Sequence, residues 1–237
     1  MKTRFVKVTA HLISPVALSP EGEAPHLDAI CELVLAQHTR SIAASSNGNR
    51  HLLDVAKIRG QEVSAQGQLP IPIVREKVDG IPVPRCSFGI MEKTQETAEH
   101  YHCAFPIERA IEVSEKERIQ IRTTGGVYKS VRLPLRLSTT SRIVWFAELR
   151  ESPCKLRKLV NQIETLGKKS VYGYGRVSEW TVEETDIDAS WFHGGVLMRA
   201  LPISVVSDDI QGKRRSYGAV AGPYWQRSFF VDRYVPY

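Results

Sequence analysis

The chain has 237 residues and a mass of 26.6 kDa, with 42% hydrophobic and 24% charged residues, a balance that excludes wholesale disorder and collagen-like or low-complexity structure. No stretch approaches the about 18 uninterrupted apolar residues that span a bilayer, and Met1 to Ala10 mixes charge with hydrophobe, so a cytoplasmic protein with no membrane partner is expected. The net charge of +6 mildly favours a polyanionic partner, and its surplus is C-terminal: Arg118 to Tyr237 holds 19 basic and 11 acidic residues.

Arg4 to Leu12 alternates, with Val6, Val8 and Ala10 on one face and Phe5, Lys7 and Thr9 on the other, the period of a half-buried strand. Leu27, Ile30, Cys31 and Val34 recur at helical spacing, so His26 to Gln37 reads as an amphipathic helix. Ser45 to Asn49 is a polar tip, followed by a short helix around His51 to Ile58. Leu69 to Val83 is rich in proline, whose missing N–H groups exclude a central strand and favour edges or loops.

Arg118 to Arg122 and Val131 to Leu137 read as strands around the turn Thr123 to Gly126, and Arg142 to Leu149 as a stronger strand. A helix is expected from Ser152 to Leu166, with Ser152 as N-cap, Pro153 in the first turn, and Leu156, Leu159, Val160, Ile163 and Leu166 as its apolar stripe. Gly167 would take the left-handed C-terminal position. Val177 to Glu184 alternates like a strand, another is expected at Val196 to Val205, and a basic turn, Gly212 to Gly218, leads to an extended piece through Phe229 to Val231. Two β-α units with intervening strands favour a ferredoxin-like α+β core with insertions over a doubly wound parallel sheet. Two small ferredoxin-like halves, divided within Pro84 to Ser114, are the alternative.

The segment Gly167-Lys168-Lys169-Ser170-Val171-Tyr172-Gly173-Tyr174-Gly175-Arg176 carries the chemistry of an RNA contact. Its glycines permit close backbone approach by a phosphodiester, and its lysines neutralise the charge. On an extended strand, Tyr172, Tyr174 and Arg176 share a face that presents two rings and a guanidinium to splayed bases. The competing reading is a helix C-cap followed by a strand, with packed tyrosines and solvated lysines. It is not a P-loop, because Gln162 stands where the leading glycine belongs and the lysine follows a helix instead of preceding one. Lys213, Arg214 and Arg215 form a second, weaker nucleic-acid candidate, against the commoner explanation of a solvated loop.

Four scattered cysteines, Cys31, Cys86, Cys103 and Cys154, form no Cys-x-x-Cys pair, so reduced thiols are expected. His100-x-His102-Cys103 fits no standard zinc spacing, and neither a metal site nor any cofactor is expected. Asp28 beside His26 at a helix start is explained by the helix dipole. A metal-independent endoribonuclease would draw on His26, His51, His100, Tyr172 and Lys168, but their spacing assembles no catalytic site.

On these residues the chain resembles the RAMP superfamily of CRISPR-associated proteins, whose ferredoxin-like modules carry a glycine-rich loop after the final core helix; Gly167 to Gly175 is the matching segment. Pro25-His26-Leu27-Asp28-Ala29, the segment Ser152 to Glu184 and the tail Gly222-Pro223-Tyr224-Trp225 are similar to the subunit that holds the crRNA 5′ handle in type IV CRISPR effector complexes. The resemblance implies a single RAMP-type domain over residues 1–237 with an inserted segment at about 41–117. It further implies a non-catalytic RNA-binding role, contacts with backbone and large subunits, and a contribution to reading the protospacer-adjacent motif of target DNA through the assembled complex. Processing of precursor crRNA by this chain, and a structural subunit that never touches nucleic acid, are the competing functions.

Overall fold

The structure, a computed structural model, describes residues 4–18, 25–46, 69–92, 95–103, 129–224 and 226–236, with 108, 112 and 124 singly. The helix expected at His51 to Ile58, the strand expected at Arg118 to Arg122 and Trp225 of the C-terminal motif lie outside the described residues.

The first strand, β1 (Arg4–Leu12), is followed by the two-residue β2 (Val16–Ala17) and by helix α1 (Leu27–Ser46). Val6, Val8 and Ala10 of β1 are fully buried, and the α1 stripe of Leu27, Ile30, Cys31 and Val34 is buried as its spacing predicts. The proline-rich segment forms a small hairpin, β3 (Arg75–Val78) and β4 (Ile81–Pro84), apart from the larger sheets. Asp79 and Gly80, both at positive φ, make its turn. After β5 (Ile90–Met91), the long strands β6 (Gln95–Cys103) and β7 (Val131–Thr139) pair antiparallel along their whole lengths.

Strand β8 (Arg142–Leu149) leads into helix α2 (Pro153–Val160) and then β9 (Val177–Thr185). Ser152 caps α2 as expected, its hydroxyl accepting from Cys154 N–H at 3.4 Å. The helix stops six residues before Leu166, the expected end. Asn161 is its C-cap, Gln162 Nε2 donates to Lys158 O at 2.8 Å, and Trp180 Nε1 donates to Ile163 O at 2.9 Å. Leu166 still reaches the core, but its N–H bonds Gly175 O instead of a helical carbonyl. The apolar spacing continued past the point where hairpin pairing replaced the helix.

The central sheet has strand order β5-β8-β1-β9, every neighbour antiparallel. Helix α1 follows β1 and α2 joins β8 to β9, and both helices pack into the core formed by Val6, Val8, Trp145 and Val182. This strand-rich α+β arrangement is compatible with a ferredoxin-like core. A second sheet has order β2-β7-β6.

The C-terminal region contributes β10 (Phe192–His193), β11 (Val196–Leu197), β12 (Leu201–Pro202), β13 (Lys213–Ala219) and β14 (Phe230–Pro236), the last three forming a sheet of order β12-β14-β13. Two expectations change here. Val196 to Val205 is not one strand: Pro202 precedes a 3-10 turn, Ile203–Val205, that breaks it. The basic triplet lies in strand β13, paired with β14, and not in a turn.

Candidate nucleic-acid interface

Between α2 and β9 the chain forms a closed hairpin. Thr165 bridges Arg176, Leu166 N–H donates to Gly175 O at 2.8 Å, and Val177 N–H donates to Glu164 O at 2.8 Å. The base is fastened to the β1–β2 connection by Gly175 N–H to Pro15 O at 2.8 Å, Lys168 N–H to Ala17 O at 2.7 Å and Arg176 N–H to Ser14 Oγ at 2.8 Å. Two glycines are needed for this attachment. A Cβ on Gly167 (φ +82°) would lie 2.5 Å from Ala17 O, and one on Gly175 (φ +67°) would lie 1.8 Å from Leu166 O. Their close backbone approach is therefore to the protein's own chain. Gly173 faces open space.

Ser170–Tyr172 is a 3-10 turn flanked by Lys169 and Gly173, both left-handed, so Tyr172, Tyr174 and Arg176 do not share a strand face as expected. Tyr172 and Tyr174 instead lean on β6. The Tyr172 and Tyr101 rings meet edge to face at 5.2 Å with their hydroxyls 3.0 Å apart, and Lys169 Nζ sits 3.6 Å from the centre of the Tyr101 ring. Tyr174 packs on Leu135 and Leu137 and donates to Glu99 Oε2 at 2.6 Å, a bond that raises its phenol pKa. The outer surface keeps Lys168 and Arg176 exposed, Val171 almost fully so and Tyr172 59% exposed. The result is a cationic, aromatic projection held by two sheets. Sequence reading missed Tyr101 and Glu99, since nothing in local spacing links β6 to a loop some 70 residues downstream.

His100 and His102 are exposed and alternate with Tyr101, so they occupy the opposite face of β6 from the hairpin contact. The Cys103 side chain lies outside the described residues. His51 likewise falls outside them. In β13, Lys213 is half-buried, while Arg214 and Arg215 are exposed.

The Pro25–Asp28 and Gly222–Tyr224 motifs, at opposite ends of the sequence, meet around the buried Asp28, with His26 and Tyr224 half-buried. The His26 and Tyr224 rings stack at 5.5 Å, and Trp145 Nε1 donates to Pro25 O at 2.9 Å. Asp28 is fully buried, so its position is set by more than a helix dipole. It accepts from Tyr224 Oη at 2.7 Å and Cys86 Sγ at 3.3 Å, and lies 3.5 Å from the fully buried Arg199 guanidinium. Arg199 in turn donates to Pro84 O, Cys86 O, Val220 O and Tyr224 Oη at 2.9–3.1 Å. Burial alone would raise the Asp28 carboxyl, but Arg199, His26 and the two hydrogen bonds hold it below its ordinary range.

Burial and then Arg199 push the His26 pKa down to about 4, and burial with Asp28 pushes Glu32 up to about 7 despite its 3.0 Å pair with Arg75. His26 is half-buried, and with its pKa this low it is neutral near pH 7. This node ties α1 to the C-terminal region.

Comparison with protein families matches residues 92–236 to the family described as CRISPR type IV associated protein Csf3, a span that includes the hairpin, β13 and Tyr224. The chain belongs to the Csf3 family. Membership connects it to type IV CRISPR systems, in agreement with the resemblance carried by its motifs. The Pro25–Asp28 motif lies before the matched span. No curated protein matches the chain. Among the described residues, no helix is long and apolar enough to cross a membrane.

Proposed function

We propose that this Csf3-family protein is a non-catalytic crRNA-binding subunit of a type IV CRISPR ribonucleoprotein, one RAMP-type domain on a ferredoxin-like core with an insertion at about 41–117. It holds the 5′ handle of the guide, meets the backbone and large subunits, and contributes to reading the protospacer-adjacent motif of target DNA. The observation that carries this reading is the hairpin itself, which exposes Lys168, Tyr172 and Arg176 and sets Lys169 on the Tyr101 ring above a base clamped on two sheets. Lys168 neutralises phosphate, Lys169 supplies a second cation beside Tyr101, and the Tyr172 ring offers a stacking surface. Target sequence is then read by base pairing of the guide, while the protein positions the strand.

The test is handle-RNA binding by the Lys168→Ala/Lys169→Ala variant across a salt series. Affinity should fall, and the log–log salt slope should flatten by roughly 0.7 for each lost phosphate contact. Unchanged affinity and slope would remove the hairpin from the interface. Incubation with precursor crRNA in the absence of metal should yield no defined cut; a product abolished by His51→Ala or His100→Ala would reassign the chain as a processing nuclease.

A further inference from the structure

Away from the hairpin, the C-terminal sheet presents a second mixed face. Directly paired residues of an antiparallel ladder share a face, which places Lys213 with Pro236, Arg215 with Tyr234, Tyr217 with Asp232, and Ala219 with Phe230 on one side of β13–β14. Along β13 this gives cation, cation, aromatic at every second residue, each about 7 Å from the next.

The contacts agree with that register. Lys213 Nζ lies 4.9 Å from the Tyr234 ring centre and donates to Ser207 O at 2.6 Å. Arg215 Nη2 is 3.4 Å from Asp232 Oδ2, a pair whose members are both more than half exposed. Tyr217 lies beside Phe230, with ring centres 6.0 Å apart and ring planes tilted by 52°, and is 69% exposed. A tyrosine held by a neighbouring ring yet open to solvent is a platform for a flat ligand.

The geometry points to a second nucleic-acid site on this face, one that takes an unpaired strand: Tyr217 stacks a base while Lys213 and Arg215 follow the backbone. An open sheet face offers rings to unstacked bases, whereas a duplex hides its base faces within the stack. A phosphate at Arg215 would replace the loose Asp232 contact with a charge-assisted bond. The +8 surplus of the C-terminal half supplies the complementary field. The site does not depend on the hairpin being the handle-binding element.

The experiment measures anisotropy of labelled oligo(dT), oligo(U) and a mixed-sequence duplex with the full chain, in the Lys168→Ala/Lys169→Ala background so that the hairpin does not mask the result. Tyr217→Ala should weaken single-strand binding at least about fivefold, with Tyr217→Phe near the parent. Arg215→Ala should reduce the salt slope by about 0.7. Comparing oligo(dT) with oligo(U) identifies whether DNA or RNA is the better occupant. Tyr217 is largely exposed, and unchanged melting of its variants excludes a folding effect. Unchanged single-strand binding in Tyr217→Ala and Arg215→Ala overturns the proposal and leaves the face to a protein partner. Duplex binding as tight as single-strand binding, with no sensitivity to Tyr217, overturns the stacking role as well.

Discussion

Glu32→Gln should reveal a pH dependence that the native protein conceals. His26, with its pKa lowered from 6.5 to about 4, refuses a proton that the unfolded chain accepts, so its contribution is present above pH 6.5 and is lost as pH falls toward 4. Glu32, raised from 4.5 to about 7, behaves in the opposite sense: its contribution is present below 4.5 and is lost as pH rises through 7. Each shift corresponds to about 3 kcal/mol, because one pKa unit is about 1.4 kcal/mol. Between pH 4.5 and 6.5 the two slopes therefore oppose one another at nearly equal size. Glu32→Gln leaves the His26 slope alone, and stability relative to the parent should gain about 2–3 kcal/mol from pH 4.5 to 6.5. Urea unfolding at half-unit steps from pH 4.5 to 7.5 reads this directly. A Glu32→Gln curve parallel to the parent across the window would show that the two groups do not titrate as their surroundings require.

Arg199→Met should destabilise the fold by about 3–5 kcal/mol, since it strands a buried carboxylate at Asp28, and adding Asp28→Asn should recover part of the loss in denaturant melts. If the double variant were less stable than the sum of the singles predicts, the pair would not be the unit that holds the two ends together. Gly175→Ala should cost about 2 kcal/mol or more through its collision with Leu166 O and its positive φ, whereas Gly173→Ala, facing open space, should cost about 1 kcal/mol in thermal unfolding. Equal costs would count against the clamped base. Limited proteolysis should also cut the hairpin faster in Gly175→Ala than in Gly173→Ala.

Regular local patterns were legible in the sequence. The alternation of β1, the α1 stripe, and the Ser152–Pro153 cap each depend on neighbours a few residues away, and each appears where expected. Long-range partners were not legible. Leu166 fits a helical stripe equally well, and only pairing with Gly175 decides that it leaves the helix. Asp28 looked sufficient at a helix start because its true partners, Arg199 and Tyr224, lie about 170 and 196 residues away. In β13 a signal was present: Lys213, Arg215 and Tyr217 alternate, but Gly212 and Gly218 drew attention to a turn. The candidate interface was thus drawn from cations and glycines, and the β6 residues Tyr101 and Glu99 that hold the hairpin were not foreseen.

The place of β1 in the central sheet has a consequence for biosynthesis. Both of its flanking partners, β8 and β9, are encoded more than 125 residues later, so this apolar strand leaves the ribosome long before either ladder can form. Its two hydrogen-bonding rims stay unsaturated through most of translation, the interval in which edge-to-edge aggregation competes with folding. Soluble yield should therefore respond to elongation rate and chaperone supply upstream of residue 185, and the hairpin that rests on Pro15 and Ala17 can only be seated once that sheet has closed.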